Sequence, residues 1–311
     1  MQKDTLLVPT NTMQNQKCKF VFFGTPYVAR DTLSIMEEHG YVPSLVITSP
    51  DRPRGRGLTL TPTEVKAWAV ERNIPVLTPE KLTPEVIEEL SAQIKELDAQ
   101  YAIVVAYGKI LPQECIDAFP LGILNIHYSL LPKYRGASPV ESSLLHDDKE
   151  TGVTIQQMLY QLDAGAILAS EKVAIEPTET TIELRARLIT IGANLLVSML
   201  PAFEAQEITP IHQEETLATK CTKTKKEDGE IFLNIPGTNS NELAQLNWNK
   251  YRAYAEWPGT YFFIEKEGRK LRIKITKASF ANDAFVIERV VPEGKKEMSF
   301  ADFLKNNTLP N

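Results

Sequence analysis

With 311 residues the chain is long for a single core, so two domains are expected. Apolar residues at 43% and charged residues at 24% exclude a disordered or fibrous chain, and no apolar run is long enough to cross a bilayer. The formal charge of −6 argues against a polyanionic partner, but residues 206–311 carry 16 basic and 15 acidic residues, so the acidity belongs to the N-terminal two thirds. Three cysteines (Cys18, Cys115, Cys221) and four histidines (His39, His127, His146, His212) are too scattered for a disulfide framework or a ligand set. A reduced cytoplasm and no metal are expected. Residues 1–18 lack the apolar core and cleavage site of a secretion signal and read as a flexible extension, with Met13 an alternative start.

Lys19 to Phe23 forms a short apolar strand, followed by Gly24-Thr25-Pro26 and a helical pattern from Tyr27 to Glu38 that Gly40 closes. Thr25 suits the N-cap and Pro26 the first helical position. Strand, glycine turn and helix open a doubly wound, Rossmann-like α/β domain. No second or third glycine follows Gly24, so the dinucleotide fingerprint is absent and NAD is not expected. After a strand at Ser44 to Thr48 comes SPDRPRGRGLTLTP, where Arg52, Arg54 and Arg56 alternate. This is either a solvated loop or a finger whose guanidinium forks contact phosphate. A helix from Thr61-Pro62 to Arg72 and another from Pro84 to Leu97 precede the apolar strand Tyr101 to Ala106. In open α/β sheets ligands bind beyond the carboxyl ends of strands, which makes Tyr107 and Gly108 crevice candidates; the alternative for Tyr107 is a rim aromatic.

LGILNIHYSLLPKYRG, Leu121 to Gly136, concentrates the chemistry. At period two, Leu124, Ile126 and Tyr128 share one side while Asn125, His127 and Ser129 share the other. A buried parallel strand is usually apolar throughout, so this polar face is either satisfied within the core or reserved for catalysis. A helix from Pro139 to His146 and a strand from Gly152 to Met158 follow, then Asp163 in a glycine-containing turn, where an aspartate most often serves the turn's backbone geometry. Thr180 to Glu183 has capping-box spacing and starts a helix to about Glu204. The catalytic domain is placed at 19–205, a linker at 206–218 and a C-terminal domain at 219–311. The linker leads to a basic cluster of Lys220, Lys223, Lys225 and Lys226. Short β-rich runs at Glu230 to Leu233, Thr260 to Glu265, Leu271 to Ala278 and Ala284 to Val291, with turns such as Pro236-Gly237 and a partly helical Asn241 to Trp257, suggest a small OB-like barrel.

At NIHYSLLPKYRGASPV the chain resembles the methionyl-tRNA formyltransferases, within the wider family of enzymes that use 10-formyltetrahydrofolate. The wider family shares Asn125-x-His127, the loop Ser129 to Pro132 and the later Asp163. The narrower likeness rests on FFGTP, DRPRGRGLTLTP, VVAYGKILP, TGVTIQQM, LDAGAIL, KEDGEI, YRAYAEWPGTYF and PEGKKEMSFADFL, and spans residues 19 to 304. His146-Asp147-Asp148 and Phe232 depart from the family pattern of a Gly-Asp pair and a tryptophan.

The resemblance implies formyl transfer from 10-formyltetrahydrofolate, as co-substrate, to the amino group of methionyl-initiator-tRNA. It implies Asn125 as oxyanion donor and His127 and Asp163 as the acid-base pair, with the base left open between them. Ser129, Leu130, Leu131 and Pro132, with Tyr107, Gly108, Lys109, Ile110 and Leu111, are implied as folate-binding. Arg52, Arg54, Arg56 and the four lysines are the expected tRNA contacts, and a cytoplasmic monomer is expected. Alternatives are a formyltransferase acting on a nucleotide sugar, a formyl-folate hydrolase, and an inactive tRNA-binding module.

Overall fold

A computed structural model of the chain describes residues 17–55, 58–233, 240–307 and 309. The apolar run of β1 (Lys19–Gly24) makes it a central strand buried on both faces, and α1 (Tyr27–Glu38) covers one of them with Val28, Ala29, Leu33 and Met36. The helix starts one residue later than its capping pattern suggested. Pro26 occupies the N-cap, and the Thr25 hydroxyl donates instead to the Tyr107 carbonyl at 3.1 Å, tying together the ends of two strands.

Next come β2 (Leu45–Ile47) and a two-stranded hairpin, β3 (Arg52–Arg54) with β4 (Thr59–Thr61), in the stretch read as a solvated loop or a phosphate-contacting finger. α2 (Glu64–Glu71) begins after Thr63, whose hydroxyl accepts from the Lys66 amide, so Thr63 and not Thr61 is the cap. β5 (Val76–Leu77) leads to α3 (Pro84–Leu97), then β6 (Ala99–Val105), α4 (Gln113–Asp117) and β7 (Ile123–His127). Beyond these lie β8 (Arg135–Gly136), α5 (Pro139–Leu145), β9 (Glu150–Gln157) and β10 (Ile167–Ala174). β10 was not foreseen: its exposure alternates poorly, and β9 recruits it as an antiparallel edge partner.

These strands form a seven-stranded sheet in the order β10-β9-β7-β6-β1-β2-β5, parallel from β7 to β5 and antiparallel at β9 and β10. The chain reverses direction across the sheet at β1, which places a crevice beyond the carboxyl ends of β1, β6 and β7. One face packs on α1, α2 and the long α6 (Thr181–Glu204), and the other on α3 and α4. Glu183 accepts hydrogen bonds from the Thr180 amide and hydroxyl, as the capping-box spacing requires. Among the described residues α6 is the one helix long and apolar enough to cross a membrane, and its Leu184, Leu188, Leu196 and Leu200 lie in the core.

After α6 the chain turns back along the sheet. Ile211 pairs with Ile167, and β11 (Lys220–Cys221) pairs in parallel with β8. α7 (Ser240–Ala253) packs on α5 and leads to four antiparallel strands: β12 (Tyr261–Lys266), β13 (Arg269–Ala281), β14 (Ala284–Pro292) and β15 (Met298–Ser299). With α8 (Phe300–Leu304) they enclose a separate core around Phe262, Ile273, Val290 and Phe303. Glu230 to Leu233 is not a strand; it contributes a single bridge from Glu230 to Tyr261. The expected Pro236-Gly237 turn lies outside the described residues.

Candidate active site

β7 is inner to the sheet, hydrogen-bonded to β6 on one side and β9 on the other. Leu124, Ile126 and Tyr128 enter the core beneath α1 and α6, so the alternating pattern is realised and Asn125 and His127 project to the opposite face. Asn125 sits between Val104 of β6 and Gln156 of β9. It is half-buried, and its side-chain amide takes no hydrogen-bond partner among the described residues.

His127 closes the strand and is buried. Its Nε2 lies 2.9 Å from the Tyr134 carbonyl oxygen, which can only accept, so Nε2 carries a proton. Nδ1 faces the Asp163 carboxylate at 3.7 Å, beyond direct hydrogen-bond distance. Burial pushes the imidazole down from its ordinary value, outweighing the Asp163 charge and the Tyr134 carbonyl, which both pull it up. At neutral pH the ring is therefore neutral, with a bare Nδ1.

Asp163 comes from the turn between β9 and β10, where its backbone is left-handed at φ +50°, a conformation aspartate tolerates. The turn geometry and the carboxylate are both in use. Oδ2 accepts from the Gly136 amide at 2.8 Å and Oδ1 from Gln156 Nε2 at 3.0 Å. The three side chains singled out in the sequence thus surround one end of β7, although Asp163 arrives from 36 residues beyond His127.

The loop after β7 is pinned to β9. Thr154 Oγ1 donates to the Ser129 carbonyl at 2.7 Å and accepts from the Leu131 amide at 3.1 Å. The Ser129 hydroxyl donates to the Lys133 carbonyl at 2.5 Å, so it is a loop clasp and does not engage His127. Leu131 is buried, while Leu130 and Pro132 are half-buried. The second run splits. Tyr107 and Leu111 are in the core, Tyr107 edge-on to Phe23 at 5.4 Å; Gly108 and Ile110 are exposed. Lys109 Nζ donates to the Pro79 carbonyl at 2.5 Å. The Tyr107 hydroxyl has no partner among the described residues, and burial pushes it up to about 12.

Of the basic residues, Arg52 lies on the β3–β4 hairpin and pairs with Glu80 at 2.5 Å. The Arg54 side chain and all of Arg56 lie outside the described residues. Lys220 is exposed on β11, and Lys223, Lys225 and Lys226 are exposed just beyond it. Among the described residues no group of three or more metal-ligating side chains occurs.

Sequence reasoning missed two glutamines. Gln156, 1% exposed, orients Asp163 and keeps a buried Oε1 with no partner among the described residues. A wholly buried amide inside the apolar run TGVTIQQM was its only signal. Gln213, in the stretch assigned as linker, donates to the Asp163 carbonyl at 2.9 Å and the Gly165 carbonyl at 2.7 Å. Nothing local to it hints at that.

The formyl transferase family model matches residues 18–200, the α/β domain whose sheet carries these polar groups at its carboxyl end. Curated relatives extend the match over almost the whole chain. The methionyl-tRNA formyltransferase of Dictyoglomus turgidum is 34% identical over 318 residues, covering 94% of this chain and 97% of that protein. That of Koribacter versatilis is 37% identical over 309 residues, covering 94% and 96%. The chain belongs to the methionyl-tRNA formyltransferase family. Among solved structures, the N-formyltransferase from Helicobacter canadensis, in complex with folinic acid and dTDP-3-aminofucose, superposes with a TM-score of 0.59 at 19% identity, covering 85% of this chain and 88% of that one. That likeness is one of fold.

Proposed function

We propose that this chain transfers the formyl group of 10-formyltetrahydrofolate to the α-amino group of methionyl-initiator-tRNA, giving N-formylmethionyl-tRNA for translation initiation. The observation that carries this reading is the likeness to methionyl-tRNA formyltransferases over 94% of the chain, which continues past residue 200, where the family model stops.

In this reading the donor brings an activated formyl carbonyl, and the residues of the chain supply polarisation and a proton path. The site suits a carbonyl ligand: among the described residues the Asn125 side-chain amide has no other partner, so its N–H is open to a carbonyl oxygen. Asn125 donates to the formyl oxygen as negative charge develops there, a role whose loss costs about 2.7 to 4 kcal/mol of barrier. The amine nitrogen bonds to the formyl carbon, the bond from that carbon to the donor nitrogen breaks, and the proton lost by the amine is delivered to that nitrogen. His127 takes this proton on Nδ1, the nitrogen left bare by the Tyr134 contact, and Asp163 stabilises the resulting imidazolium across 3.7 Å. The assignment makes His127 the base and Asp163 its electrostatic partner.

Tyr107 to Leu111 and Ser129 to Pro132 flank the crevice and serve as the folate-binding loops. Arg52, Arg54, Arg56, Lys220, Lys223, Lys225 and Lys226 contact tRNA phosphates. The C-terminal sheet is read as an OB-like barrel that engages the tRNA body, and the enzyme acts as a cytoplasmic monomer.

The test is transfer of labelled formyl from 10-formyltetrahydrofolate to initiator and elongator methionyl-tRNA, with an amino-sugar nucleotide and a no-acceptor control alongside. Preferential labelling of the initiator supports the reading. Release of formate without acceptor identifies a hydrolase, labelling of the sugar a sugar formyltransferase, and folate-independent tRNA binding alone an inactive module.

A further inference from the structure

Between α6 and the C-terminal sheet, the segment Ile211 to Cys221 lies along the edge of the candidate site. It is fastened at both ends: Ile211 and Ile167 exchange two backbone hydrogen bonds of 2.8 Å, and Lys220-Cys221 pair with Arg135-Gly136. Gln213 sits between these anchors, half-buried. Its Nε2 donates to the carbonyls of Asp163 and Gly165, the two sides of the left-handed turn that presents the Asp163 carboxylate. Its Oε1 accepts from Arg135 Nε at 3.0 Å. Arg135 is itself buried, and its guanidinium forks onto both oxygens of Glu215 at 2.9 and 2.7 Å. One amide thus joins the turn carrying Asp163 to the loop whose Tyr134 carbonyl orients His127 and whose Gly136 amide holds the Asp163 carboxylate.

We propose that Gln213 is a positioning residue that fixes Asp163 against His127, with Arg135 and Glu215 holding Gln213 in place. The proposal rests on the formyl-transfer reading for its kinetic consequence only. A left-handed non-glycine turn persists where its surroundings over-determine it, and Gln213 supplies the only side-chain hydrogen bonds to the backbone carbonyls of Asp163 and Gly165 among the described residues. The titratable and charged groups around the pair are Asp163, from the β9–β10 turn, and the Cys221 thiol, which donates to the Tyr134 carbonyl from β11; Arg135 and Glu215 face Gln213.

The experiment compares Gln213→Ala and Gln213→Glu with the unaltered full-length protein, reading kcat, both KM values, thermal unfolding and the pH titration of the His127 ring by NMR. Only four histidines contribute ring signals, and loss of one in His127→Asn assigns it. For Gln213→Ala the expected result is a kcat lower by about a hundredfold, as an ångström-scale misplacement produces. Both KM values stay within about twofold. The His127 midpoint moves further down, because a drifting Asp163 no longer pulls it up. Gln213→Glu can still accept from Arg135 but sets a carboxylate against two carbonyls, so it shows the same loss.

The proposal is overturned if folded Gln213→Ala keeps an unchanged kcat or His127 titration. It is overturned equally if Gln213→Glu behaves as the unaltered protein, which would make Gln213 an anchor for Arg135 alone. Should Gln213→Ala fail to fold, the glutamate variant decides. If the unaltered protein transfers no formyl group, the functional reading falls, while the His127 titration still decides the role of Gln213.

Discussion

Asn125 and His127 face the crevice because a strand alternates its side chains and because the other face of β7 is claimed by Leu124, Ile126 and Tyr128. Asn125→Ala removes no side-chain hydrogen bond among the described residues, so it is expected to fold with an unchanged melting temperature and to lose about a hundred- to a thousandfold in turnover, as measured by formyl transfer. His127 titrates below the ordinary 6.5, and a base works only when unprotonated. The His127 ring is therefore expected to titrate below 6.5 when followed by NMR in the free protein; a midpoint above 7 would contradict a neutral buried His127. The spacing Asn-x-His was legible in the sequence. The proton on Nε2 was not, since it follows from a carbonyl seven residues on that the loop folds back against the ring.

At the scale of elements, turns and caps carry the site. Gly136 has φ +130°, and a Cβ there would lie 2.1 Å from the Cys221 carbonyl oxygen, inside the β8–β11 pairing. Gly136→Ala is expected to cost about 2 kcal/mol or more of stability and to lower turnover together with it, because the Gly136 amide also holds Asp163. Denaturant unfolding and the transfer assay on one sample check this. Thr180→Ala, by contrast, loosens only the start of α6 and is expected to cost about 1 kcal/mol with turnover intact. Pro84 to Leu97 could be read to the residue, and Tyr27 to Glu38 apart from its cap, since apolar spacing and terminal glycine or proline are local signals. β10, β11 and the β3–β4 hairpin could not, because an edge strand with a weak apolar alternation and two- or three-residue strands owe their existence to the partner they meet.

For the molecule as a whole, the depressed His127 value links stability to pH. The unfolded chain, with an ordinary histidine, binds a proton in the interval between the folded-state value and 6.5, and the folded protein does not. The His127 contribution to stability is thus complete above 6.5 and declines as pH falls through that interval. Denaturant titrations of the native protein and of His127→Gln at a series of pH values are expected to differ by a constant amount above 6.5 and to draw together as pH falls below it, with the variant less pH-sensitive. A partner held through phosphates also sets the salt response. Replacing Arg52, Lys223 and Lys225 by Gln is expected to weaken tRNA use at low salt and to flatten the slope of log affinity against log salt by about 0.7 to 0.9 per lost contact. An unchanged slope would return these residues to ordinary solvated surface.

The sequence by itself determined the doubly wound α/β class, the polar face of LGILNIHYS and the family likeness, because each is written in residue types at short, fixed spacing. Only the tertiary structure decided that Asp163 faces His127, that Gln156 and Gln213 fasten it, and that residues 211–221 return to the site. Those contacts join positions up to 87 residues apart, such as the Cys221 thiol and the Tyr134 carbonyl, and no local pattern encodes a hydrogen bond whose two halves meet only after the sheet has formed.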